Sequence, residues 1–180
     1  MPSPRDSRYG WQVPLAPSLR QISRMAPTSL YRALPAERRL ALVTHLLTTR
    51  KETRAFFVSR IVAKGGGFRV KTVAGYSREQ LAKEVVRLNA QSENDEVDLL
   101  QALYLEVRPE IQIAFLDACG VKHEDGAIDE SVVVPYASAE TVEKAAAALR
   151  TQFGDDGLHY LRTCARYNGA AWPGLDALVE

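Results

Sequence analysis

The chain is poor in the residues most chemistry depends on. In 180 residues it holds two cysteines, Cys119 and Cys164, and three histidines. Two cysteines cannot build a disulfide framework in a chain this long, so a reducing, cytoplasmic setting is expected. No stretch approaches about eighteen uncharged apolar residues, the run a membrane-spanning helix requires, and no membrane partner is expected. An apolar h-region after the start is also missing, which argues against a secretory signal peptide. What is there is ordinary for a globular protein, with 46% apolar and 25% charged residues. The length suits one domain with a real core, or one domain plus an arm.

The net charge of +1 hides a strong asymmetry. Residues 1–90 hold 17 Lys and Arg against 5 Asp and Glu, a net of +12. Residues 91–180 hold 6 against 17, a net of −11. Such a split implies a polyanion or acidic protein partner, head-to-tail self-association, or neutralisation of one half by the other.

Residues 1–35 carry Arg5, Arg8, Arg20, Arg24 and Arg32, five serines and a single acid, Asp6. That composition fits either a removable organellar targeting segment or an ordered Pro-rich arm anchored by Tyr9, Trp11 and Leu15. The remainder, 36–180, reads as a single α-helical domain. Pro35 introduces a run with Leu40, Val43, Leu46 and Leu47 on one face, giving a helix over 36–48. The polar patch from Thr48 to Lys51 is a turn or a kink. Phe56, Phe57, Val58, Ile61 and Val62 cover enough of the circumference that helix 51–64 is expected to be central and buried. Gly65, Gly66 and Gly67 stop it, and Phe68–Val73, weakly alternating and basic, reads as a short extended connector.

Ser77 with Gln80 is a capping-box pair ahead of the stripe Leu81, Val85 and Leu88. Ser92 or Asn94 caps the next helix, with Val97, Leu100, Leu103, Tyr104 and Val107 inward. Pro109 opens another, which Gly120 ends. A gap over 121–137 contains an Asp125-Gly126 turn and extended Val132-Val133-Val134-Pro135. Ser138 caps a helix ending at Gly154, a last helix runs from about Asp156 to Asn168, and Trp172 and Leu175 dock on the body. Phe115-Leu116-x-x-Cys119 and Tyr160-Leu161-x-x-Cys164 lie 45 residues apart. That period falls in the range of two-helix HEAT-like units and hints at stacked hairpins. The fold class expected is therefore all-α, six or more helices in packed antiparallel hairpins.

The motif candidates are thin. The glycine run lacks the spacing of a P-loop and follows a helix rather than a strand. With Lys64, Arg69 and Lys71 beside it, it offers cations and backbone N–H groups to an anion, or simply a helix terminator in a solvated basic loop. Gly75-Tyr76-Ser77-Arg78-Glu79 begins like a nucleophile elbow but has Glu79 in place of the final glycine, and Ser77 is better read as a cap. A helix-turn-helix on Ser77–Leu88 would place Glu96, Asp98 and Glu106 on the reading helix, where phosphates repel them. Cys119, His123, His159 and Cys164 supply a zinc-suited donor set if the repeat brings them together, though each also reads as a buried or capping residue. The acidic residues from His123 to Glu130 lack the register of an EF-hand.

No catalytic residue and no cofactor is assigned on these grounds. The reading favoured is a non-enzymatic interaction or scaffolding module that binds an acidic protein partner through Arg38, Arg39, Lys64, Arg69, Lys71 and Arg78. Non-specific nucleic-acid binding through the basic 64–78 loop is the alternative, and a zinc-dependent enzyme or structural zinc protein is the third.

Overall fold

The computed structural model describes residues 29–64, 67, 69–88, 93–129 and 131–180. The N-terminal arm with Tyr9, Trp11 and Leu15, and also Gly65, Gly66, Phe68, Ser92 and Glu130, lie outside the described residues. The fold is all-α: the helices are interrupted by one small β-hairpin among the described residues. The chain divides into two compact units, one within Thr28–Arg108 and one containing Pro109–Glu180.

The N-terminal unit starts with a single turn, α1 (Leu30–Ala33), capped by the Ser29 hydroxyl, which accepts from Arg32 N–H at 3.2 Å. Helix α2 (Ala36–Thr49) buries Leu42, Val43, Leu46 and Leu47 on one face. The polar patch that follows is a break of one residue: Arg50 is extended (φ −119°, ψ 108°), and α3 (Lys51–Ala63) begins at once. Helix α3 buries Phe57, Val58 and Ile61 but leaves Phe56 48% exposed. Its packing partners α2, α4 and α5 leave one side open, so it is not buried all round as its apolar content suggests.

The expected connector and basic loop need correcting, because Val70–Ala74 form a helix, α4. Val73 is completely buried, and Arg54 of α3 donates to the carbonyls of Ala74 (3.0 Å) and Tyr76 (2.6 Å), holding the end of α4 and the following turn. Helix α5 (Arg78–Leu88) opens with the capping box: Ser77 N–H donates to Gln80 Oε1 at 2.9 Å, and Gln80 N–H to Ser77 Oγ at 3.1 Å. Its apolar stripe packs on α2 and α3. Helix α6 (Glu93–Ala102) runs into a π-helical stretch, Leu103–Val107, closed by Arg108 N–H donating to Leu103 O at 2.7 Å. Leu99, Leu100, Leu103 and Tyr104 are buried.

In the C-terminal unit Pro109 begins α7 (Pro109–Cys119), since a first helical position needs no N–H. Gly120 (φ +67°) ends it in a Schellman arrangement, with Val121 N–H donating to Leu116 O and Gly120 N–H to Asp117 O. Strands β1 (His123–Glu124) and β2 (Ala127–Ile128) form an antiparallel hairpin pairing His123 with Ile128. Asp125 and Gly126 take positive φ in the tight turn between them, as twisted hairpins favour. Buried Gln112 donates to Gly126 O at 2.6 Å and fastens the hairpin to α7. Helix α8 (Ala139–Asn168), capped by Ser138, is two helices joined at a kink: Gly154 has φ 56° and ψ −127°. A 3-10 turn (Gly169–Ala171) and α9 (Leu175–Leu178) fold the tail back onto α8, burying Trp172 and Leu175. The core is aromatic, with the Phe115 ring 4.9 Å from Trp172 and 5.7 Å from Tyr160. Among the described residues, no helix is long and apolar enough to cross a membrane.

Candidate functional site

The six basic residues singled out from the sequence fall into two groups. Arg38 and Arg39 are half-buried on α2 and engaged in interactions of their own, the Arg39 guanidinium standing 5.9 Å from the Tyr31 ring centroid. Lys64, Arg69, Lys71 and Arg78 are exposed and have no ion-pair partner among the described residues. Because Arg54 near the start of α3 holds the end of α4, the two helices run in opposite directions. Arg69 and Lys71 therefore stand near Lys64 at the C-terminal end of α3, while Arg78 stands near Arg54.

Four other cations of the same unit have carboxylate partners, while exposed Arg32 and Lys51 have none among the described residues. Arg50 pairs with Glu106 and Arg60 with Asp95, in both cases reaching into the acidic stretch that follows α5. His45 Nε2 lies 3.2 Å from the second Glu106 oxygen. Lys83 pairs with Glu79 and Arg87 with Glu84 along α5. Internal neutralisation thus accounts for part of the basic half and stops short of the Lys64–Arg78 edge. The exposed pairs along α5 contribute only about 0–1 kcal/mol each, so they set charge pattern more than stability.

The N-terminal unit also holds a cavity of about 310 Å³, which none of Lys64, Arg69, Lys71 and Arg78 lines. One wall is α3, with Glu52, Thr53, Phe56, Phe57 and Arg60. The remaining lining comes from Tyr31 of α1, Leu46 at the end of α2 with Arg50, Val85 and Leu88 of α5, and Asp95, Asp98 and Leu99 of α6. Half-exposed Phe56 forms an aromatic rim, its ring 5.6 Å from Phe57 and under the Arg60 guanidinium at 5.1 Å. The Asp98 carboxyl is raised above the usual carboxylate range by burial and then by the neighbouring Asp95, with Arg50 pulling the other way. Tyr31 N–H donates to the buried Glu96 carboxylate at 3.1 Å, which ties α1 to α6 at this site.

The zinc-suited residues are arranged for packing. Cys119 and Cys164 are buried, and burial pushes both thiols up to about 12, with Cys119 adding slightly to the rise at Cys164. His123 is committed to the hairpin: its Nε2 lies 3.1 Å from Asp117 Oδ1, and its Nδ1 accepts from Gly126 N–H at 3.3 Å. His159, half-buried on α8, is engaged in interactions of its own. Among the described residues no group of three or more His, Cys, Asp or Glu is placed to hold a metal ion. In the acidic stretch after α7, Asp129 is held below the usual carboxylate range by Lys122 and Ser131.

The cavity was not legible from the sequence. Phe56 and Arg60 carry a signal only in retrospect, as neighbours one turn apart on α3; Asp98 carries none, because its setting is made by α6 packing back near α2. Comparison with protein-family models, with curated proteins and with solved structures finds no match to this chain.

Proposed function

We propose that this protein is a non-enzymatic interaction module whose N-terminal unit binds an acidic protein partner through the edge formed by Lys64, Arg69, Lys71 and Arg78. The observation that carries the reading is a run of exposed cations without carboxylate partners along α4 and its flanks. Arg50, Arg60, Lys83 and Arg87 are matched by carboxylates, while these four exposed cations have no ion-pair partner among the described residues. Clustered cations left unmatched in a folded unit repel one another modestly and attract an anionic surface. A protein is favoured over nucleic acid because the same unit carries an apolar cavity with a half-exposed aromatic rim, and such surfaces mark protein contacts.

The test is a titration with poly-L-glutamate and with generic duplex and single-stranded nucleic acid, at about 50 and about 200 mM salt, the range over which phosphate-driven binding collapses. Polyglutamate binding that disappears when Lys64, Arg69 and Lys71 are changed to Glu is the expected result. Stronger binding of nucleic acid, steeply weakened by salt and lost in the same variant, would replace the protein partner by a polyanion. Binding of neither would mean that the edge has no anionic partner.

A further inference from the structure

We infer that the cavity of the N-terminal unit is a binding site for a compact organic cation, an apolar body bearing one ammonium group that is set against the carboxylates Glu52 and Asp98 of the cavity wall. The cavity is lined by none of the cations of the Lys64–Arg78 edge, so the inference does not rest on the partner-binding reading.

The apolar body is called for by the floor and rim. Helix α3 is apolar over more of its circumference than its neighbours cover, so Phe57 is buried while adjacent Phe56 is left 48% exposed. Phe57, Leu46, Val85 and Leu99, all buried, form the floor, and Phe56 stands at the rim. A volume of about 310 Å³ is at the low end for small-molecule sites, which selects a compact ligand. Tyr31 belongs to the same wall and carries a buried hydroxyl with no hydrogen-bond partner among the described residues, a donor the protein itself leaves unused.

The positive charge is called for by what the wall leaves unmatched. Its ionised groups are the carboxylates of Glu52, Asp95 and Asp98 and the guanidiniums of Arg50 and Arg60. Arg60 is bound to Asp95, and Arg50 is bound to Glu106, which is not part of the wall. Glu52 and Asp98 are therefore left without an ion-pair partner among the described residues. Lys51 and Arg54, at the same end of α3, are not lining residues, and Arg54 is committed to the carbonyls that end α4. Asp95 and Asp98 lie one turn apart on α6, so their charges reinforce one another, and burial together with Asp95 holds the Asp98 carboxyl above its usual range. A neutral body seated here would strip water from these carboxylates and return nothing, and an anion would add repulsion. An ammonium group offsets both costs.

The experiment screens the full-length protein by ligand-observed NMR against a fragment library in which each apolar body is present as its ammonium, alcohol and carboxylate member. Hits are then titrated by calorimetry. Ammonium members should dominate the hits and bind about tenfold or more tighter than their alcohols, with the carboxylates weakest. Joint Glu52→Gln and Asp98→Asn, at two exposed positions whose retained fold is checked by circular dichroism, should bring ammonium and alcohol to near equality. Phe56→Ala should weaken both members, and joint Lys64→Glu and Lys71→Glu should leave both unchanged. No hits, alcohols or carboxylates bound as well as ammonium members, or an ammonium preference that survives the joint Glu52 and Asp98 change would overturn the inference. Ammonium binding indifferent to Phe56→Ala would also overturn it, by assigning the cation to another acidic surface.

Discussion

Tyr31 buries its hydroxyl where no described residue accepts a hydrogen bond from it, and burial pushes the phenol up to about 12 against a smaller opposing pull from Arg39. An unsatisfied buried hydroxyl costs about 1–3 kcal/mol, so removing it should help. Tyr31→Phe is expected to leave stability unchanged or raise it by up to about 1 kcal/mol in urea denaturation. A clear loss would mean that the hydroxyl has an acceptor. The two thiols make the opposite kind of residue-scale prediction. With Cys119 and Cys164 both held near 12 instead of 9.0, the folded protein keeps them protonated where the unfolded chain ionises. Between those values the native state binds more protons, so stability is complete below pH about 9 and falls as pH rises above it. At pH 8 a thiol-labelling reagent should modify neither cysteine in the native protein and both in denaturant. Prompt native labelling would contradict the burial.

At the scale of elements, the kink in α8 depends on one residue. Gly154 has φ +56°, a backbone position that L side chains rarely adopt, and an added Cβ would meet open space there. Strain alone should therefore make Gly154→Ala cost about 1–2 kcal/mol, seen as a lower urea midpoint at unchanged slope. If stability does not change, the two halves of α8 can join without the kink. Helix ends like this one were legible because their signals are local: Ser77 with Gln80, Ser138, Pro109, Gly120 and the Asp125-Gly126 turn all sit within a few residues of what they cap or turn. Helix α4 was not legible. Its five residues are too few for a periodic pattern, and what holds them is the burial of Val73 and the reach of Arg54 across 22 residues to Tyr76.

At the scale of the whole molecule, charge follows the two units. Residues 28–108 hold 14 Lys and Arg against 9 Asp and Glu, a net of +5, and residues 109–180 hold 5 against 12, a net of −7. Each unit also has its own buried centre: Leu42, Ile61, Leu81 and Leu100 in the first, Phe115, Leu161, Trp172 and Leu175 in the second. A fragment beginning at Pro109 carries that second buried cluster with the Schellman stop, the hairpin and both halves of α8. Expressed alone, it should give a helical spectrum and a cooperative thermal transition, although a unit of this size is marginal by surface-to-volume scaling. A non-cooperative melt would mean that the core is incomplete without the rest of the chain.

The sequence by itself determined the all-α class, the positions of most helix starts and stops, the docking of Trp172 and Leu175, and the charge asymmetry. These depend on residue type at short spacing, which packing does not alter. Only the tertiary structure decided which cations are matched, that Phe56 faces outward, and that α1, α2, α3, α5 and α6 leave a cavity between them. Each of those depends on residues tens of positions apart meeting through the packing of apolar faces, and no local pattern specifies which of several faces will meet.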